Sequence, residues 1–330
     1  MPSPQQQFGK LFQGIVPDDI QIEPVAGDAS TRIYFRIFSS RSTWILCIDK
    51  EFAAFPGKRY PFLAVQELLR SASVPVPAVI GCDKSQGMIL LEDCGSIMLQ
   101  DIAGENPGML CSVYRKAVET MVAIQSVKSE NTSLPFDRFF DEEKLMFECD
   151  FFLDNAPENT FPGKTGETLR KEFLAITRRL VLPGHFVLNH RDYHSRNILL
   201  KNRKPVIIDF QDARMGLPQY DATSLLRDSY VTLPSETVDE LQRYHYDLLR
   251  EKQLTSMSRD EYLYLFDIMA FQRNVKALGT FFNQAFKLGK KEFSRHISPT
   301  LAYLPDYISR HPELETSGRI ILNQLAGLSS

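Results

Sequence analysis

Over roughly the first ninety residues, apolar and polar positions alternate in short stretches rich in β-branched and aromatic side chains. That period of two predicts strands over 20–24, 32–38 and 43–48. The polar run Ser39-Ser-Arg-Ser42 reads as a hairpin turn between the last two. Across 60–72, which holds PFLAVQELLRSA, apolar residues recur at helical spacing. Val74-Pro-Val-Pro77 ends this helix, because proline has no N–H to donate and restricts its predecessor. Two more strands are predicted over 78–82 and 88–91. After Gly95 the period shifts to that of helices, expected over 109–126, 142–153 and 167–180, with 155–166 as a polar surface loop. The apolar run Pro205-Val-Ile-Ile-Asp-Phe210 and a long helical C-terminal part follow. The switch divides the chain into a strand-rich unit, 1–93, and a helix-rich unit, 94–330.

Composition narrows the classes little. The 330 residues suffice for two lobes, and 43% hydrophobic with 24% charged residues is ordinary for a globular chain. A net charge of −3 offers no broad footprint for nucleic acid, so no nucleic-acid partner is expected. The first residues lack a basic stretch followed by an apolar core, and no run approaches the length of a membrane span. Cys47, Cys82, Cys94, Cys111 and Cys149 form no CxxC pair, which suits reduced thiols. A cytoplasmic monomer without a membrane partner is the expectation.

The chemistry concentrates in NHRDYHSRNILL, residues 189–200. His190 and His194 are four apart, a spacing at which two imidazoles on one helix face can share zinc. Arg191, however, stands where a zinc hydrolase needs its glutamate, and no third ligand is evident. The stronger alternative uses Asp192, Asn197 five residues later, and Asp209, which ends an apolar strand-like run before Phe210. Phosphoryl transfer from a nucleotide requires a carboxylate to accept the hydroxyl proton. It also requires hard oxygen ligands, a carboxylate and an amide, to hold Mg²⁺ against the phosphates. His-Arg-Asp-x-x-x-x-Asn followed by Asp-Phe is the kinase spacing. His190 is expected to pack and hydrogen-bond within the loop, and Arg191 to steady nearby carboxylates or backbone.

Asp192-Tyr-His-Ser-Arg-Asn197 resembles the Asp-x-His-x-x-Asn form of aminoglycoside phosphotransferases, choline kinases and related small-molecule kinases. More narrowly, the chain is similar to bacterial kinases of the anomeric hydroxyl of N-acetylmuramate and N-acetylglucosamine. The likeness rests on Gly27–Arg36 (GDASTRIYFR), the 189–200 loop, Asp209-Phe-Gln-Asp212 with YDATSLLRDSY from Tyr220, and QRNVKALG from Gln272. It implies an α+β, protein-kinase-like fold of two lobes. A small antiparallel sheet with one helix (1–93) would bind the nucleotide, and a larger helical lobe (94–330) would carry catalysis and substrate. It implies ATP and Mg²⁺, a small-molecule sugar acceptor, and a place in cell-wall recycling. An aminoglycoside or choline kinase and a silent nucleotide-binding module are the rival readings.

On that resemblance, Gly27, Ser30, Thr31 and Arg32 belong to a hairpin over the phosphates, and the segment ending at Glu92 to the strand and hinge that accept adenine. Asp192 is the catalytic residue, and Asn197 and Asp209 are the metal ligands. Kinases place a lysine at the end of the third strand, paired with a helix glutamate. Here Asp49 stands there; Lys50, one position on, turns to the opposite face and is expected to be a solvated charge, with Glu67 a candidate partner or a surface glutamate. Asp212 is a candidate for a further metal or substrate contact, and Asp221 is expected to cap a helix starting at Ala222. Arg273 and Lys276 share a helix face and offer a cationic wall for an acidic sugar or phosphate. The acidic stretch 137–150 is expected to be a water-facing helix, or alternatively an attractor of polyamines.

Overall fold

A computed structural model of the chain describes residues 20–328 apart from 26–31, 58, 106 and 129–133. Gly27, Ser30 and Thr31 therefore lie outside the described residues. Strands β1 (Gln21–Val25), β2 (Ile33–Phe38), β3 (Thr43–Ile48), β4 (Val79–Asp83) and β5 (Met88–Glu92) form an antiparallel sheet of order β1-β2-β3-β5-β4. Between β3 and β4 come a short helix α1 (Lys50–Ala54) and α2 (Pro61–Ser71). The Ser39–Ser42 turn closes the β2–β3 hairpin, with Ser39 N donating to Ser42 O at 3.0 Å. Alternation then sorts the side chains. Cys47, Ile89 and Leu91 face Phe62, Val65 and Leu69 of α2, while Ile37, Leu46, Met88 and Leu90 make a second cluster on the other face.

The remainder is mostly helical: α3 (Pro107–Gln125), α4 (Glu142–Asn155), α5 (Lys164–Leu180), α6 (Gln219–Leu226), α7 (Ser235–Glu251) and α8 (Arg259–Phe282), then three shorter helices. These last are α9 (Ile297–Leu301), α10 (Leu304–Arg310) and α11 (Glu315–Leu325). Among the described residues no helix is long and apolar enough to cross a membrane. Into this helical body are set a two-stranded sheet of distant segments and a small hairpin. β6 (Val187–Asn189) pairs with β9 (Arg214–Gly216), and β7 (Ile198–Lys201) with β8 (Lys204–Ile207). Asn202 and Arg203 turn the hairpin with φ of 53° and 58°, the left-handed pair a two-residue turn demands.

These strand pairs carry the polar loop 190–197 between β6 and β7, and Asp209 just beyond β8. Leu188, Tyr193, Ile198, Ile207 and Phe210 anchor both segments in the core shared with α2 and α3. The Tyr193 hydroxyl donates to Ala117 O of α3 at 2.7 Å. Phe210 meets Phe62 of α2 with ring centroids 5.0 Å apart, so the sheet's helix rests directly on the segment behind Asp209. Below, α8 lies against α4 where Gly279 replaces a side chain; a Cβ there would meet Phe152 Cα at 2.7 Å.

Candidate active site

A cleft of about 950 Å³ opens between the sheet and the helical body, and Asp192, Asn197 and Asp209 all line it, as do Arg32 and Glu92. The loop that presents Asp192 has an unfavourable backbone. Arg191 adopts φ 87° and Asp209 φ 63°, positions L-residues seldom occupy, held by the surrounding bonds. Asp221 supplies two of those bonds, accepting from His190 N at 2.6 Å and Arg191 N at 3.0 Å. Asp228 supplies the next, accepting from Ser195 N at 2.8 Å and Tyr230 N at 2.9 Å. Two buried carboxylates thus grip the loop on either side of Asp192. Burial pushes both up to about 6, with the backbone donors acting in the opposite direction.

Asp221 is therefore not the helix cap expected from its position. The helix begins at Gln219, and the Asp221 carboxylate serves the loop instead. His190 accepts from Asp192 N through Nδ1 at 3.2 Å, so Nε2 carries the proton that goes to Ile208 O at 2.9 Å. It is a loop brace, in line with its expected role. His194 is half-buried, and desolvation drives it down to about 3 against the pull of Asp192, keeping it neutral. No group of three or more His, Cys, Asp or Glu residues placed to hold a metal exists among the described residues, which leaves the histidine pair without the ligands zinc needs.

Asp192 sits among cations. Lys276 Nζ is 2.5 Å from its Oδ1, and Arg191 Nε and Arg273 Nη1 are each 3.9 Å away. Burial alone would raise this carboxyl, but Lys276, Arg191 and Arg273 together hold it well below the usual range. Desolvation also presses the Lys276 ammonium downward, with Asp192 resisting; the compact pair is ionic because each charge stabilises the other. Under this cluster lies a buried network. The Tyr220 hydroxyl donates to Glu148 Oε2 at 3.1 Å and accepts from Arg273 Nη1 at 2.9 Å. Glu148 belongs to the acidic stretch expected to face water. Asp141, Glu142 and Glu143 do lie at the surface, whereas Glu148 is 2% exposed.

Asn197 donates from Nδ2 to Asp192 O at 2.9 Å, and its own carbonyl accepts from Ile208 N at 3.0 Å. The loop and the Asp209 segment are thereby stitched together, and Asn197 Oδ1 is left for another partner. Asp209 Oδ1 accepts from Gln211 Nε2 at 3.0 Å, with Oδ2 outside that bond. An amide oxygen and a carboxylate from adjoining segments are the donor types that suit a hard divalent cation. Asp212 is engaged by Arg191 Nη1 at 3.0 Å. Glu92 bridges the lobes: Oε1 pairs with Lys201 Nζ at 2.6 Å and Oε2 accepts from Ala78 N at 3.1 Å.

Lys50 and Glu67 do not form the kinase lysine–glutamate pair, in line with Lys50 as a solvated charge. Lys50 and Glu67 are both exposed, and neither lines the cleft. Arg273 and Lys276 do face the cleft, though they are turned on Asp192 rather than standing as a separate wall. Asp49, Tyr60, Asp228 and Glu148 were not identifiable as site residues from sequence. All four stood in stretches already noted, Asp49 at the strand end, Tyr60 at the start of 60–72, Glu148 in the acidic stretch and Asp228 in YDATSLLRDSY, but a lone polar residue gives no periodic signal of burial.

Comparison with known proteins agrees with this geometry. The phosphotransferase enzyme family matches residues 21–254. An N-acetylmuramate/N-acetylglucosamine kinase of Neisseria meningitidis serogroup B is 30% identical over 326 residues, covering 94% of this chain and 92% of that one. The enzyme of the same name from Pseudomonas aeruginosa is 29% identical over 306 residues, covering 91% and 88%. Among solved structures, a choline/ethanolamine kinase family protein from Mesorhizobium loti superposes with a TM-score of 0.62 at 18% identity, covering 98% of each chain. An ADP-bound aminoglycoside phosphotransferase gives 0.58 at 11% identity, covering 89% and 97%. The fold is protein-kinase-like, and the chain belongs to the phosphotransferase enzyme family.

Proposed function

We propose that the protein transfers the γ-phosphoryl group of ATP to the anomeric hydroxyl of N-acetylmuramate or N-acetylglucosamine. The observation that carries the reaction is Asp192, a carboxylate kept ionised at the cleft floor with Asn197 and Asp209 beside it. Asp192 orients the acceptor hydroxyl and takes its proton. The new O–P bond forms as the bond between the γ-phosphorus and the departing ADP oxygen breaks. Asn197 and Asp209 would hold Mg²⁺, which when bound neutralises charge on the phosphates. The gripped loop contributes by fixing Asp192 before substrate arrives, and positioning of this kind supplies much of the barrier reduction.

The acceptor rests on the names of the relatives and on charge. Arg191, Arg273 and Lys276 surround the proton acceptor, an environment that favours a neutral or anionic acceptor and opposes a polyamine or choline. The test is a panel of N-acetylmuramate, N-acetylglucosamine, kanamycin and choline with labelled ATP and Mg²⁺. Transfer to an amino sugar is expected, and Asp192→Asn should keep nucleotide binding while losing about a thousandfold in rate. Transfer to kanamycin or choline alone would overturn the acceptor. Unimpaired turnover by the Asp192 variant would overturn the mechanism.

A further inference from the structure

At the end of β3, where a kinase needs a cation for the nucleotide phosphates, this chain places a buried anion. Asp49 is 1% exposed. Its Oδ2 accepts from Arg32 Nε at 2.7 Å and from the Tyr60 hydroxyl, and its Oδ1 accepts from Glu51 N at 2.9 Å. The Asp49 backbone is fixed as well, donating to Gly87 O at 2.7 Å, and Gly87 with φ 64° leaves no room for a Cβ beside the Asp49 carbonyl. Three donors thus hold the carboxylate while a backbone bond fixes its residue, and the flexible group among those donors is Arg32.

Arg32 lies just before β2 and lines the cleft together with Tyr34 and Asp209. Its guanidinium also lies 5.5 Å from the centroid of the Phe62 ring on α2. Asp49 takes the Nε edge, which orients the planar head. Phe62 in turn meets Phe210, the residue after Asp209, with ring centroids 5.0 Å apart. Arg32 therefore stands on the Asp209 side of the cleft, where a nucleotide's phosphates would meet the cation held by Asp209 and Asn197.

We infer that Arg32, positioned by a buried Asp49–Tyr60 pair, is the phosphate-holding cation of this enzyme and replaces the strand lysine that the chain lacks. The polarity is inverted relative to the usual arrangement. The anion sits at the end of β3 and the cation just before β2, so the helix glutamate is unnecessary and α2 contributes Phe62 in its place. Asp49 and Tyr60 are positioning residues that act through Arg32. The inference rests on the nucleotide reading above.

Calorimetric titration of the full chain with MgADP and with adenosine tests it, because only the first ligand has phosphates. Arg32→Ala should weaken MgADP at least tenfold and leave adenosine within twofold, with Arg32→Lys recovering part of the loss. Asp49→Asn and Tyr60→Phe should each weaken MgADP severalfold, and Asp49→Asn should add nothing to Arg32→Ala. The double variant also guards against misfolding, since Arg32→Ala alone leaves Asp49 buried without its cation. Equal losses for both ligands, an unchanged MgADP affinity in Arg32→Ala, or an additive Asp49→Asn loss would each overturn the inference. Failure of the wild type to bind MgADP would overturn the nucleotide reading itself, and this inference with it.

Discussion

Replacing Lys276 with methionine removes an ammonium 2.5 Å from Asp192 Oδ1 and nearly preserves the volume of the stem. Arg191 and Arg273 remain, each 3.9 Å from the carboxylate. Two unit charges about 4 Å apart attract by about 4 kcal/mol at an effective dielectric near 20, and a wetter cleft halves this. A loss of about 2–4 kcal/mol corresponds to a rise of roughly 1.5–3 pH units in the carboxyl's pKa. The sign follows from the form that reacts. Asp192 must be ionised to take the hydroxyl proton, its pKa is depressed in the intact site, and removing a cation raises it. The assay is kcat/KM for the acceptor at saturating MgATP, followed over roughly pH 5 to 9. Wild type should show no acid limb from Asp192 in that window, and Lys276→Met should acquire one near its lower end. A uniform loss of rate at every pH, with no new limb, would refute the argument and assign Lys276 to the phosphate or to packing.

Asp221 ionises near 6 in the fold against an ordinary value of 3.8, so its contribution is fully present below about 4 and is lost as pH rises through 6. Relative to wild type, Asp221→Asn should therefore gain about 3 kcal/mol in unfolding free energy between pH 4 and 7, measured in urea, and a constant difference would count against this. Gly279→Ala would normally favour a helix, but its Cβ would press on backbone atoms of Phe152 that cannot yield. A net loss of about 1–3 kcal/mol is expected, visible as a lower urea midpoint at unchanged m-value. Asp209→Ala should raise the Mg²⁺ concentration for half-maximal rate by at least about tenfold, and an unaltered Mg²⁺ curve would remove Asp209 from the ligand set.

Much of the architecture was legible because it depends on local period. Alternation located the strands ending at Phe38, Ile48 and Glu92, and helical spacing located the helices around Val65, Val118 and Phe173, within a residue or a few at each end. The three-residue strands β6 and β9 were not legible, since too few positions exist to show a period, nor was α1, a single turn. In the site, the spacing of Asp192, Asn197 and Asp209 was visible in the chain itself, and the structure brings all three to one cleft.

What surrounds those residues is a property of three dimensions. Lys276 is 84 residues from Asp192, Asp221 is 30 from the Arg191 amide it receives, and Asp49 is 17 from Arg32. No periodicity reports such pairings, because they arise where α6, α8 and the sheet pack against the loop. The physical reason is desolvation. A carboxylate near a strand end or within a helix carries the same letter whether it is solvated or buried, and only packing decides that Asp49 and Asp221 leave water and must take their hydrogen bonds from the protein. The local chain set the reactive groups and their order; the tertiary fold set their charge states and the cations they answer to.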